Sequence, residues 1–323
     1  MMRLHTRRAL GCALLFFFLA VTGFSAPAGG QGAGQTDYVS IPLLRGKQGQ
    51  PLLDAQINGR DALLYLDTGA PLMCIDRTKV RRFDLNPILL ENNTPVLINA
   101  NGISHRVTVV SSLNLGPLKL ENAPAVLIDF REINRALRSV RERTSDAILG
   151  LQVLQAMSAI VDFEHSQLLV KASSENSGSF GRRLRRAGWA EIPMHMNEGH
   201  LAVHARVNGA RTRLVVDTGS PVSVLDRGFS SARDIALTRR MFASQGINFR
   251  DAAVQLGQVD VIRIGDYKLK NLTVAVFDLS RLLGSGGERS DPLPDGLLGC
   301  ETLVQHRAYI DCDAMKLYLK APR

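Results

Sequence analysis

Leu64-Tyr65-Leu66-Asp67-Thr68-Gly69-Ala70-Pro71 recurs in this chain as Leu214-Val215-Val216-Asp217-Thr218-Gly219-Ser220-Pro221. In each copy a run of large apolar residues ends in Asp, then Thr, then Gly. The apolar run reads as a buried strand. Gly permits a sharp turn because it has no Cβ to clash. The carboxylate is thereby delivered at the end of a rigid strand, with the Thr hydroxyl and amide beside it. One such tripeptide arises by chance in on the order of one chain in twenty of this length. Two copies at matching positions of a repeat are far more specific.

The repeat extends well beyond the motif. Ile57-Asn58-Gly59 returns as Val207-Asn208-Gly209 and Asp76 as Asp226, each 150 residues on. Leu115-Gly116 returns as Ile264-Gly265, Ile148-Leu149-Gly150 as Leu297-Leu298-Gly299, and Asp162 as Asp311, now 149 residues on. One residue was lost between the two sets, and the order of landmarks is unchanged. A unit this long is a duplicated domain, not a solenoid repeat. The lobes are placed at 37–172 and 190–323, with 173–189 as a linker. Ala172 to Gly188 holds four Ser, three Gly and four Arg, the composition of an exposed connection open to nicking.

Within each lobe the signals are β. Tyr38 to Leu44, Leu63 to Leu66, Val107 to Val110 and Leu168 to Val170 are short apolar or alternating runs. Asn58-Gly59, Asn101-Gly102 and Asn208-Gly209 mark tight turns. A helix is expected over Glu132 to Arg143, with Ile133, Leu137 and Val140 on one face. Short helices are expected after Gly150 and Gly299. The fold class is mostly β, in two similar lobes.

Composition narrows the function. The chain has 323 residues, 45% apolar, which excludes wholesale disorder. Only 6% of residues are aromatic, with one Trp, so an aromatic platform for nucleic acid is not expected. The net charge of +9 is gathered in local Arg clusters that read as solvated surface. Residues 1–26 read as a signal peptide: Arg7 and Arg8, an apolar run from Ala9 to Val21, then small residues. Residues 27–36 would be a linker or short propeptide. The mature chain is therefore expected to be exported, periplasmic or secreted, with no stable membrane span. It keeps Cys74, Cys300 and Cys312, so at most one internal disulfide can form, and Cys300 with Cys312 is the pair to consider.

The paired Asp-Thr-Gly motifs, each followed by an apolar-apolar-Gly strand, resemble the pepsin-like and retropepsin-like aspartic proteases. The resemblance is nearest to exported bacterial members with two fused retropepsin-like lobes, and it covers Tyr38 to Lys320. It implies a bilobal acid-protease fold, with two homologous barrel-like lobes facing each other across a cleft. It implies Asp67 and Asp217 as the catalytic pair, with Thr68, Gly69, Thr218, Gly219 and Ser220 supporting them. Ile148 to Gly150 and Leu297 to Gly299 would pack around the two loops. No organic cofactor and no metal are implied. The substrate is a polypeptide, and one chain carrying both carboxylates is expected to act as a monomer. The alternative is a non-catalytic peptide-binding or scaffold protein on the same fold.

Two carboxylates suit this chemistry because like charges a few Å apart share a proton. The ionised member draws a proton from water, and the protonated member donates to the peptide carbonyl. Ser220 in one loop faces Ala70 in the other, and a Ser220 hydroxyl donating to Asp217 predicts an optimum between strongly acidic and neutral pH. No Tyr lies near the Asn101-Gly102 hairpin where a flap residue is expected, and His105 is the nearest polar side chain. His195, His200 and His204 suggest a metal cluster, but on a strand four residues span about 13 Å, too far for one ion. Gly284-Ser285-Gly286-Gly287 lacks the Lys of a phosphate loop and reads as a surface loop.

Overall fold

Asn58 and Gly59 have φ of 48° and 74°, and Asn208 and Gly209 have φ of 44° and 89°. Two successive left-handed residues make the turn whose twist matches paired strands. They join Pro51–Ile57 to Arg60–Asp67 in one lobe, and His200–Val207 to Ala210–Val216 in the other. The computed structural model describes residues 24–25, 38–100, 103–171, 177–238, 242–244, 252–280 and 293–322. The Asn101-Gly102 turn and the glycine-rich 284–287 stretch lie outside them. So does the 1–26 segment, apart from the two-residue strand Phe24–Ser25.

Alternation sets the inner face. Along Pro51–Ile57, Leu53, Ala55 and Ile57 enter the core while Asp54 and Gln56 stay exposed. Each lobe then adds a long hairpin, Ile103–Leu115 with Leu118–Ile128, and Ala252–Ile264 with Tyr267–Phe277. Short strands Ala147–Gly150 and Gly296–Leu298 run parallel to the Asp-bearing strands and antiparallel to Cys74–Asp76 and Val224–Asp226. The chain is mostly β, in two lobes of like topology.

A third, six-stranded sheet joins the lobes. Its centre pairs Ala159–Asp162 antiparallel with Tyr309–Asp311. Val161 lies opposite Ile310, its own counterpart in the repeat, so the approximate twofold axis passes between them. The outer strands are Gln167–Lys171 with Tyr38–Pro42 on one side, and Lys316–Leu319 with Ala190–Pro193 on the other.

Helices depart from the sequence reading in two places. The expected 132–143 helix spans Arg131–Ser139 and stops there. Arg141 has φ of 58°, and Val140 is exposed, so the apolar face ends at Leu137. The connection between lobes is not an exposed coil over its described length. Ser177–Arg186 is a helix, because Phe180 and Leu184, one turn apart, bury against Tyr309 and Tyr318. Burying each side chain stabilises by about 1.5–3 kcal/mol. The expected helices after Gly150 and Gly299 are present, as Leu151–Ala156 and Cys300–Gln305.

Candidate active site

Asp67 closes its strand, and Asp217 follows directly on Ala210–Val216. Each carboxylate is gripped by its own turn. Gly69 N and Ala70 N donate to Asp67 Oδ1 at 2.8 and 3.1 Å. Gly219 N and Ser220 N donate to Asp217 Oδ1 at 2.9 and 3.0 Å. The glycines serve the opposite lobe. A Cβ on Gly69 would lie 2.5 Å from the Asp217 carboxyl carbon, and one on Gly219 would overlap the Asp67 carboxylate. Any side chain at either position would hold the two carboxylates apart.

The threonines tie the turns together. Thr68 N donates to Thr218 Oγ1 at 3.0 Å, and Thr218 N donates to Thr68 Oγ1 at 3.1 Å. Each hydroxyl then donates across the interface, Thr68 to the Val216 carbonyl at 2.7 Å and Thr218 to the Leu66 carbonyl at 2.8 Å. Both threonines are fully buried, so all four polar groups find partners without water.

The apolar-apolar-Gly strands support the turns from behind. A Cβ on Gly150 would strike the Leu72 carbonyl, and one on Gly299 the Val222 backbone. That close approach lets the following helices start against the loops. Leu151 N and Gln152 N donate to the Ala70 and Pro71 carbonyls, and Cys300 N and Glu301 N donate to the Ser220 and Pro221 carbonyls. Pro71 and Pro221 thus fit the loop exits as acceptors, where no N–H is needed.

Burial at the floor of the interlobe cleft raises both carboxyls above the ordinary range. The charge of Asp217 and a hydrogen bond between the two side chains add to the rise at Asp67. The backbone N–H donors oppose it at both residues. Two carboxyls this strongly coupled titrate as a pair, with constants belonging to the pair.

The cleft has a volume of about 1630 Å³ and is lined from both lobes. Ile103, Ser104, His105 and Arg106 contribute to its lobe-one wall. They lie on the hairpin that pairs Leu97–Ala100 with Ile103–Arg106, so the expected flap region borders the cleft without a Tyr. His200 is the residue that the sequence reading passed over. It lines the cleft and lies close enough to Asp217 to feel its charge. Burial lowers its basicity. Its counterpart in lobe one is Gln50, which also lines the cleft. Both follow a left-handed glycine, Gly49 or Gly199, 17 residues ahead of their Asp. The repeat therefore held the signal, although the His195-His200-His204 grouping obscured it. His195 and His204 instead stack on each other at 4.1 Å.

One further expectation is corrected, and the open question of a Cys300–Cys312 bond is decided. The Ser220 hydroxyl donates to the Val222 carbonyl at 2.7 Å, and only the Ser220 backbone reaches Asp217. The Ser-versus-Ala argument for the pH optimum loses its basis with that contact. Cys300 and Cys312 are not bonded, and the three described cysteines are free and buried. Cys300 Sγ donates to the Gly49 carbonyl at 3.0 Å, across the lobes.

Comparison with known proteins identifies the family. None of the curated proteins compared matches the chain. A crystal structure of basic 7S globulin from soybean aligns over 88% of this chain and 95% of its own, at 12% identity and a TM-score of 0.47. A family model described as aspartyl protease matches residues 53–153 and again 203–302. The two matches take in both Asp-Thr-Gly turns and both apolar-apolar-Gly strands, and the chain belongs to the aspartyl protease family.

Proposed function

We propose that the protein is an aspartic endopeptidase, with Asp67 and Asp217 as the catalytic pair. The observation that carries this is the mutual close approach of the two turns. Each glycine leaves room for the opposite carboxylate, and the charge of Asp217 adds to the rise of the Asp67 carboxyl. A pair holding one proton is at once a base and an acid. The ionised carboxylate takes a proton from a water molecule as its oxygen attacks the scissile carbonyl carbon. The protonated carboxyl gives its proton to the carbonyl oxygen, and a tetrahedral diol forms. On collapse the C–N bond breaks, the leaving nitrogen takes a proton, and the pair returns to its single-proton state. The backbone N–H donors hold both Oδ1 atoms still throughout, so little reorganisation is needed.

Both carboxylates come from one chain, which supports activity as a monomer without a partner lobe. The basic, apolar and small-residue order of positions 1–26 supports export. Among the described residues no helix is long and apolar enough to cross a membrane. The test is cleavage of a proteome-derived peptide mixture from about pH 3 to 8, read by mass spectrometry. New termini made by the wild type, and lost in both Asp67→Ala and Asp217→Ala, are the expected result. A folded wild type that makes no new termini at any pH would sink the reading.

A further inference from the structure

The duplicated lobes give the cleft two walls of different character. Strand Ile103–Leu115 of lobe one and Ala252–Ile264 of lobe two are counterparts, each of 13 residues. Their registers agree: Arg106 lies opposite Leu127 as Gln255 lies opposite Val276. His105 and Arg106 therefore occupy the positions of Val254 and Gln255. Val254 is buried in an apolar cluster with Val215, Val224, Ala275, Phe277 and Leu297. Gln255 turns its amide to the Thr238 carbonyl. In lobe one the same two positions place an imidazole and a guanidinium on the cleft wall.

Arg106 is exposed and makes no ion pair among the described residues. A second guanidinium, Arg77, lines the same wall. It reaches Asp129 at 2.7 Å, but Asp129 is already held by Arg131 through Nε and Nη2. Those donors keep the Asp129 carboxyl well below the usual range. Asp129 thus accepts from both Arg77 and Arg131, and Arg106 adds to this wall a guanidinium that no ion pair among the described residues neutralises. Field lines from such charges concentrate in a cleft with apolar walls.

We infer that lobe one supplies a subsite for an acidic side chain, bound by Arg106, while the described lobe-two wall takes an apolar one. This rests on the endopeptidase reading and specifies its substrate: a polypeptide with Asp or Glu at one fixed distance from the scissile bond. A guanidinium binds a carboxylate through two parallel hydrogen bonds. Such charged hydrogen bonds correspond to roughly tenfold in discrimination.

The test compares wild type, Arg106→Gln and Arg106→Glu on the same peptide mixture, with melting curves to confirm folding. Wild-type sites are expected to be enriched in Asp and Glu at one position. In a matched pair of peptides, Glu over Gln at that position raises kcat/KM by roughly tenfold. Arg106→Gln reduces that ratio, and Arg106→Glu turns the preference toward Lys and Arg. Wild-type cleavage without an acidic preference, or a preference that survives Arg106→Glu, overturns the subsite and leaves the endopeptidase standing. A folded wild type that cleaves nothing overturns the endopeptidase. The subsite is then read by fluorescence anisotropy with a short apolar peptide scanned with single Glu or Gln residues, and equal binding of the two series overturns it as well.

Discussion

Thr68 and Thr218 exchange backbone-to-hydroxyl hydrogen bonds across the lobe interface, at 3.0 and 3.1 Å. Neither residue can be satisfied without the other. Replacing Thr218 by Val leaves Thr68 N and the Leu66 carbonyl buried and unpaired. Each orphaned group costs about 1–3 kcal/mol. The expected loss is therefore about 2–6 kcal/mol, read as a lower urea midpoint, and Thr218→Ser should restore most of it. A midpoint unchanged in Thr218→Val would show that the exchange does not hold the lobes.

Asp67→Asn and Asp217→Asn should each lower kcat/KM by at least about a thousandfold, since the acid and base roles both need the shared proton. Stability should move the other way at neutral pH. The raised carboxyls bind protons more tightly folded than unfolded. Wild-type stability therefore falls as pH rises from the unfolded carboxylate range, about 4, toward the folded values. Each Asn variant removes one of the two raised carboxyls and so lessens that fall. Their melting temperature should exceed that of wild type at pH 7, with the gap closing in acid.

Gly69→Ala places a methyl group 2.5 Å from the Asp217 carboxyl carbon. The carboxylates must separate to admit it. An activity loss of about a hundredfold or more is expected, comparable to misplacing a reacting group by about 1 Å. Retention of wild-type kcat would show that the turns have slack that the structure does not display.

His200 contributes an acid sensitivity of its own. Burial lowers its basicity, so on acidification the unfolded chain takes up the proton first. Stability is then lost as pH falls through about 6.5, the unfolded value. His200→Gln removes this titration and keeps a polar side chain on the cleft wall. The melting temperature of wild type should drop more between pH 7.5 and 5 than that of the variant. Parallel curves would exclude the effect.

Cys74 and Cys300 are buried, and burial pushes each thiol up to about 12. Neither should react with iodoacetamide in the native protein, and reductant should leave the melting temperature unchanged. All three thiols of the 38–323 region should label after denaturation, as mass spectrometry would show.

Much of this was legible before any coordinates. The offset repeat placed both Asp-Thr-Gly turns at equivalent positions, and Asn58-Gly59 and Asn208-Gly209 marked hairpins that the backbone confirms. Local chemistry governs such features: left-handed φ at a turn, or alternation along Pro51–Ile57. The 177–186 helix was obscured because its Arg and Ser content resembles a linker. Only the aromatic cluster formed by Tyr309 and Tyr318, more than a hundred residues later, makes Phe180 and Leu184 a buried face. The Ser220 hydroxyl was misplaced for a similar reason. Its rotamer is set by the Val222 carbonyl, and sequence spacing cannot rank that acceptor against Asp217.

The sequence by itself determined two β lobes, a carboxylate at the end of a strand in each, and a glycine after each threonine. Covalent order and backbone sterics act within a few residues, so the repeat carries them in full. Only the tertiary structure decided which groups face each other across the lobes. It set Gly69 against Asp217, Thr68 against Thr218, His200 close to Asp217, and Arg106 on the cleft wall where lobe two turns Gln255 to the Thr238 carbonyl. Those relations depend on how the six-stranded sheet docks the lobes about Val161 and Ile310, a long-range packing that no local pattern encodes.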